Sequence, residues 1–97
     1  MWIKEKQQQV TVVTKEGRTF RGYELREMRE DWSGVLQVEC ICEDGAVAAV
    51  SKEEILKENN VILTEEKGGY RLIIAQESYP RRWCKGVTIL HCVEEND

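Results

Sequence analysis

Residues 10–25 read VTVVTKEGRTFRGYEL, and this stretch decides the fold class. Val10-Thr11-Val12-Val13-Thr14 is β-branched throughout, a composition that suits a pleated strand. Lys15-Glu16-Gly17-Arg18 makes a tight turn, with Gly17 supplying the positive φ that such turns need. The chain then returns along Thr19 to Leu25. Gly22 interrupts the returning strand, where glycine weakens pairing unless a bulge, a bend or a close backbone approach requires it. Phe20 and Gly22 share one face and Tyr23 and Leu25 the other, so a bend at Gly22 lets both pairs enter one curved core.

The same grammar continues outward. Asp31-Trp32-Ser33-Gly34 has turn composition, and a third strand follows from Val35 to Cys42. Glu43-Asp44-Gly45 closes a second hairpin into Ala46–Val50, Asp-Gly between apolar runs being a strong hairpin signal. Ser51-Lys52-Glu53-Glu54 is a capping box that opens a helix of about two turns, which Asn59-Asn60 can end in a left-handed conformation. Val61–Thr64 resumes a strand, residues 65–69 turn it, and Tyr70–Ala75 runs back. A long loop, Gln76 to Gly86, leads to a last strand from Val87 to Val93, and 94–97 is a frayed acidic tail. The expectation is a single mainly β domain (α+β) over residues 1–97, in the order β-β-β-β-α-β-β-β with one short helix. Its antiparallel sheet curls or closes into a small barrel.

Composition agrees with a globular domain: 41% of the 97 residues are apolar, 33% are charged, and proline occurs once. The apolar runs are too short to span a bilayer as helices, and Met1-Trp2-Ile3-Lys4-Glu5-Lys6 lacks the core of a signal peptide, which points to a soluble, cytoplasmic protein. The net charge of −4 weighs against nonspecific nucleic-acid binding. It is unevenly spread, since residues 1–30 carry more basic than acidic groups and residues 31–69 the reverse.

The four cysteines are Cys40, Cys42, Cys84 and Cys92. Cys40 and Cys42 alternate in phase with Leu36 and Val38, so they read as buried, reduced thiols that pack as small hydrophobes. The sharper alternative is a structural zinc site of Cys40, Cys42 and Cys84 with Cys92 or His91, but C-x-C is not the usual knuckle spacing. No catalytic constellation is visible. His91 and Cys92, being adjacent on a strand, face opposite sides, and Gly68-Gly69 lacks the lysine and hydroxyl residue of a phosphate loop. The chain is therefore read as a non-enzyme that needs no cofactor.

One loop stands out. Residues 78–86, SYPRRWCKG, set Tyr79 and Trp83 among Arg81, Arg82 and Lys85, the residue types that most often carry binding energy at protein interfaces. The competing reading makes Trp83 a plug for the core, with the arginines solvating the loop. Trp32, in a polar turn beside Asp31, is a second candidate anchor. The leading expectation is a protein-interaction module, an adaptor or inhibitor, phage-encoded by analogy with other small acidic proteins of that kind. The runner-up is a nucleic-acid-binding barrel face bearing Arg18, Arg21 and the Arg81-Arg82-Trp83 loop. The partner is expected to be another protein or, failing that, nucleic acid, with no membrane role. Val87–Val93 is a plausible edge strand for a homodimer.

Val10-Thr11-Val12 followed by Gly17-Arg18-Thr19-Phe20-Arg21-Gly22 resembles the opening motif of Sm-like proteins, with Leu25 and Asp31 continuing it loosely. The resemblance covers about a quarter of the chain and implies an SH3-like or Sm-like small barrel. It does not extend to the family's RNA pocket. Trp32-Ser33-Gly34 stands where an asparagine is expected, and Gly86-Val87-Thr88-Ile89-Leu90 lacks the arginine of the second motif. The family's helix precedes its first strand, whereas this one follows the fourth. Asp31 alone carries over.

Overall fold

The first hairpin forms around Gly17, whose φ is 82°, and its register runs from Val13 opposite Thr19 to Val10 opposite Gly22. This structure, a computed structural model, describes residues 7–77 and 82–95. The strands are β1 (Val10–Val13), β2 (Thr19–Glu24), β3 (Val35–Cys42), β4 (Val47–Ser51), β5 (Val61–Glu66), β6 (Gly69–Ile74) and β7 (Val87–Glu94). A helix, α1 (Lys52–Leu56), follows β4, and a 3-10 turn over Leu25–Met28 follows β2. The expected order of strands and helix is present. The strands make two antiparallel sheets, β1-β2-β5-β6 and β4-β3-β7, whose ladders do not close into one barrel among the described residues.

Gly22 is explained by close approach. β2 turns from β1 to pair with β5, Tyr23 opposite Leu63, and a Cβ on Gly22 would meet the Leu63 carbonyl, with Leu63 C 2.8 Å away. The second hairpin uses Asp44 and Gly45: the Ala46 amide donates to Asp44 Oδ1 at 2.9 Å and Gly45 takes φ 89°. α1 begins at the capping box, where Glu54 N donates to Ser51 Oγ (3.2 Å) and Ser51 N donates to Glu54 Oε1 (3.0 Å). The helix is shorter than expected because the chain leaves it after Leu56, although Asn59 does adopt φ 55°. Asn60, buried to 2% exposure, then ties this exit to β6. Its Nδ2 donates to Glu54 O (2.9 Å), and its Oδ1 accepts from Gln76 N (3.0 Å).

Val61–Thr64 of β5 and Leu72–Ile74 of β6 are continuous buried runs. Together with Val12, Leu25, Val38, Val50 and Ile55 they form one core. The other face of the β4-β3-β7 sheet is exposed, and there Val47, Ile41 and Ile89 stand in one row across three strands.

Two corrections concern the ends of the chain and the cysteines. Glu94 ends β7 opposite Val35, and Glu95, in the turn that follows, donates from N to Gly34 O at 2.9 Å, so these two residues are tied down rather than frayed. Residues 96–97 lie outside the described residues. Cys42 and Cys84 are joined in a disulfide with Cα atoms 6.6 Å apart, while Cys40 and Cys92 are free. The sequence reading of Cys42 as a buried, reduced thiol, drawn from its alternation along β3, could not see this contact. It arises because the segment entering β7 folds against both sheets: Leu72 N donates to Cys84 O (3.0 Å) and Glu43 N to Gly86 O (2.9 Å). A bonded Cys42–Cys84 pair also removes two thiolates from the four-cysteine zinc set. No cluster with metal-ligand composition occurs among the described residues.

Candidate binding site

Residues 82–86, the described end of the loop before β7, are fastened inward. Trp83 is 7% exposed and meets Phe20 edge to face, with ring centroids 5.7 Å apart and planes at 86°. Arg18 lies 5.0 Å above the Phe20 ring and 5.6 Å from the Trp83 ring, and Arg71 lies 5.9 Å from the Trp83 ring. The aromatic pair is thus walled by two guanidinium groups. Arg21 alternates with Phe20 and so faces away from this cluster, and Lys85 is exposed, its backbone paired with that of Arg71. Tyr79 and Arg81, like Trp2, lie outside the described residues.

Arg82 is committed to intramolecular partners. Its Nη2 reaches Glu54 Oε2 at 2.6 Å, its Nη1 reaches Glu54 Oε1 at 2.9 Å and Ala49 O at 3.0 Å, and its Nε reaches Glu77 Oε1 at 3.1 Å. The bidentate bond to Glu54 is the main reason the Arg82 guanidinium is held above its ordinary value. The reciprocal effect on Glu54 is large: the Arg82 bond first, reinforced by Ser51, outweighs desolvation and holds its carboxyl at about 2 against a usual 4.5. A carboxyl lowered on folding adds stability above its unfolded value and loses that contribution as pH falls through the folded one. Glu54→Gln is therefore expected to flatten the fall in melting temperature between pH 4.5 and about 2. Parallel thermal melts check this, and an identical slope in the variant would remove the pair from the acid response.

Trp32 sits differently. The Asp31 turn, in which Ser33 N donates to Asp31 Oδ1 at 2.9 Å, aims the indole back under the 3-10 turn, and Trp32 Nε1 donates to Arg26 O at 2.9 Å. The two Ser33 hydrogen bonds also hold the Asp31 carboxyl below the usual carboxylate range. Half-buried Trp32 forms one wall of a cavity of about 200 Å³, with Leu25, Met28, Val38 and Leu90. Arg29 and Cys92 complete it. Arg29 lies 5.8 Å from the Trp32 ring, donates from Nε to Asp31 O at 2.7 Å, and places Nη1 3.6 Å from Glu94. Its guanidinium is raised first by a hydrogen bond with Cys92, which places the thiol at the same rim. His91, the alternate residue on β7, is exposed on the opposite face of the sheet beside Glu39.

Of the candidate site residues singled out in the sequence, among those described, Trp32 and Cys92 open onto this cavity. Met28, Arg29 and Leu90 were missed. Leu90 could have been found, because it shares the phase of Cys92 on β7. Met28 and Arg29 carry no comparable signal, since the 3-10 turn has no periodic pattern.

Fold and site define a small two-sheet β protein with an apolar cavity beside an edge strand. Compared with known proteins, the chain matches no family model, no curated protein and no solved structure. None of its helices is long and apolar enough to cross a membrane, among the described residues.

Proposed function

We propose that this protein is a non-enzymatic protein-interaction module, an adaptor or inhibitor, that receives its partner at the Trp32 cavity. The observation that carries the reading is the cavity itself: a preformed apolar hollow with an indole and an arginine at its wall, the chemistry of an interface anchor site. The lining has a thiol and a guanidinium but no base beside the thiol, because His91 faces the other way. The loop before β7 supports the module as scaffold rather than as contact surface, since Trp83 is buried and Arg82 is already bonded.

Nucleic-acid binding has one observation in its favour, the gathering of Arg18 and Arg71 around Trp83. The arginines cover the aromatic rings on which bases would stack, and the net charge opposes a phosphate backbone. The cytoplasmic location belongs to the proposal as well. Its counterweight is the Cys42–Cys84 bond, because structural disulfides belong to oxidising compartments. The thiol count of protein isolated from its cells decides between them.

Leu90→Arg puts a charged side chain into the cavity from a half-exposed position. It is expected to weaken partner capture at least about tenfold while changing the melting temperature little. Quantitative pull-down with wild type and variant checks this, and equal capture by a folded variant would overturn the assignment to the cavity.

A further inference from the structure

The segments that line the cavity are rich in acidic residues. Glu27 and Glu30 bracket Met28 and Arg29, Asp31 precedes Trp32, and Glu94 and Glu95 end the strand that carries Leu90 and Cys92; all five carboxylates are exposed. The two arginines of the same region offset this charge only in part, since with Glu24 the same segments hold six carboxylates against two guanidinium groups. Arg26 Nε is 2.8 Å from Glu24 Oε2 and 3.9 Å from Glu27 Oε1, and Arg29 Nη1 is 3.6 Å from Glu94 Oε1. A ligand reaching the cavity therefore passes a net negative rim before it meets apolar walls.

Resting on the interaction-module reading, we infer that the cavity takes one apolar side chain from a basic segment of a partner protein. Three features select that occupant. The volume, about 200 Å³, exceeds the ~150 Å³ that holds a benzene ring, so one aromatic or branched side chain fits. The carboxylates complement lysines or arginines on either side of that anchor and disfavour a second copy of this acidic chain. Among the described residues the wall strand β7 is an edge strand of its sheet, so an extended segment can lie along it.

The test is isothermal titration of the full chain with three synthetic peptides: Lys-Lys-Val-Phe-Lys-Lys, its Phe→Gly form, and Glu-Glu-Val-Phe-Glu-Glu. The basic peptide is expected to bind, with an affinity that falls as salt rises from low to physiological strength. Loss of the Phe ring is expected to weaken it at least about tenfold, and the acidic peptide is expected not to bind. The Glu27→Lys/Glu30→Lys double variant changes only exposed positions, so it is expected to fold normally and to lose most of the salt dependence. Equal binding of the acidic peptide, or indifference to the Phe ring, overturns the inference while leaving the module intact. So does a wild-type chain that captures its partner through the cavity yet binds no basic peptide. Undiminished capture by folded Leu90→Arg instead removes the assignment of the partner site to the cavity, on which the inference rests.

Discussion

Replacing Trp83 with alanine is expected to cost about 3–5 kcal/mol, the range for emptying a buried aromatic site. For a domain of this length that lowers the melting temperature by more than about 12 °C. The effect is large because Trp83 is shared by several elements. It packs on Phe20 of β2, lies under Arg18 from the first turn and Arg71 from β6, and belongs to the main core cluster. Its loss opens a hollow where the loop before β7 meets the first sheet. Trp83→Phe keeps a ring against Phe20 and gives up no hydrogen bond, since Trp83 Nε1 has no partner among the described residues. That variant is expected to cost much less. Thermal and denaturant unfolding of both variants check the claim. A stable Trp83→Ala protein that has lost its partner would return the loop to the role of contact surface, which is the opposite of the geometry found.

The loop shows why the site was harder to read than the fold. Strand order was legible because each hairpin carries local chemistry: Gly17, Gly45 and Gly68 sit where the turns need positive φ, and Ser51 with Glu54 forms the cap that the sequence pattern implies. Gly22 was legible as an anomaly, and its cause, the Leu63 carbonyl, is a contact between residues far apart in the chain. The aromatic and basic content of SYPRRWCKG was equally visible, but composition does not say which way a side chain faces. Arg82 points to Glu54 and Glu77, a choice made by tertiary packing over 28 and 5 residues. The cavity was less visible still. Its walls come from β2's exit, the Trp32 turn, β3 and β7, so no local pattern assembles it.

Breaking the Cys42–Cys84 bond is expected to produce an effect of similar size by a different route. The bond spans 42 residues of chain, and in the loop-closure account a cross-link of that length removes about 4 kcal/mol worth of unfolded-state entropy. Small domains are stable by about 5–15 kcal/mol, so this is a large fraction. The folded state should change little on reduction, because Leu72 N to Cys84 O and Glu43 N to Gly86 O hold the same segment without the sulfur bridge. Unfolding with and without reductant, alongside a Cys42→Ala/Cys84→Ala double variant, measures the term. The variant should match the reduced wild type and ignore reductant itself. Thiol titration supplies the independent count. Under denaturing, non-reducing conditions two thiols are expected, Cys40 and Cys92. In the native protein half-exposed Cys92 should react first, since Cys40 is buried and its thiol is pushed up to about 12 by desolvation. Four thiols in the denatured chain, or melts indifferent to reductant, would mean that the two cysteines meet without bonding, and the zinc alternative would regain its missing ligands.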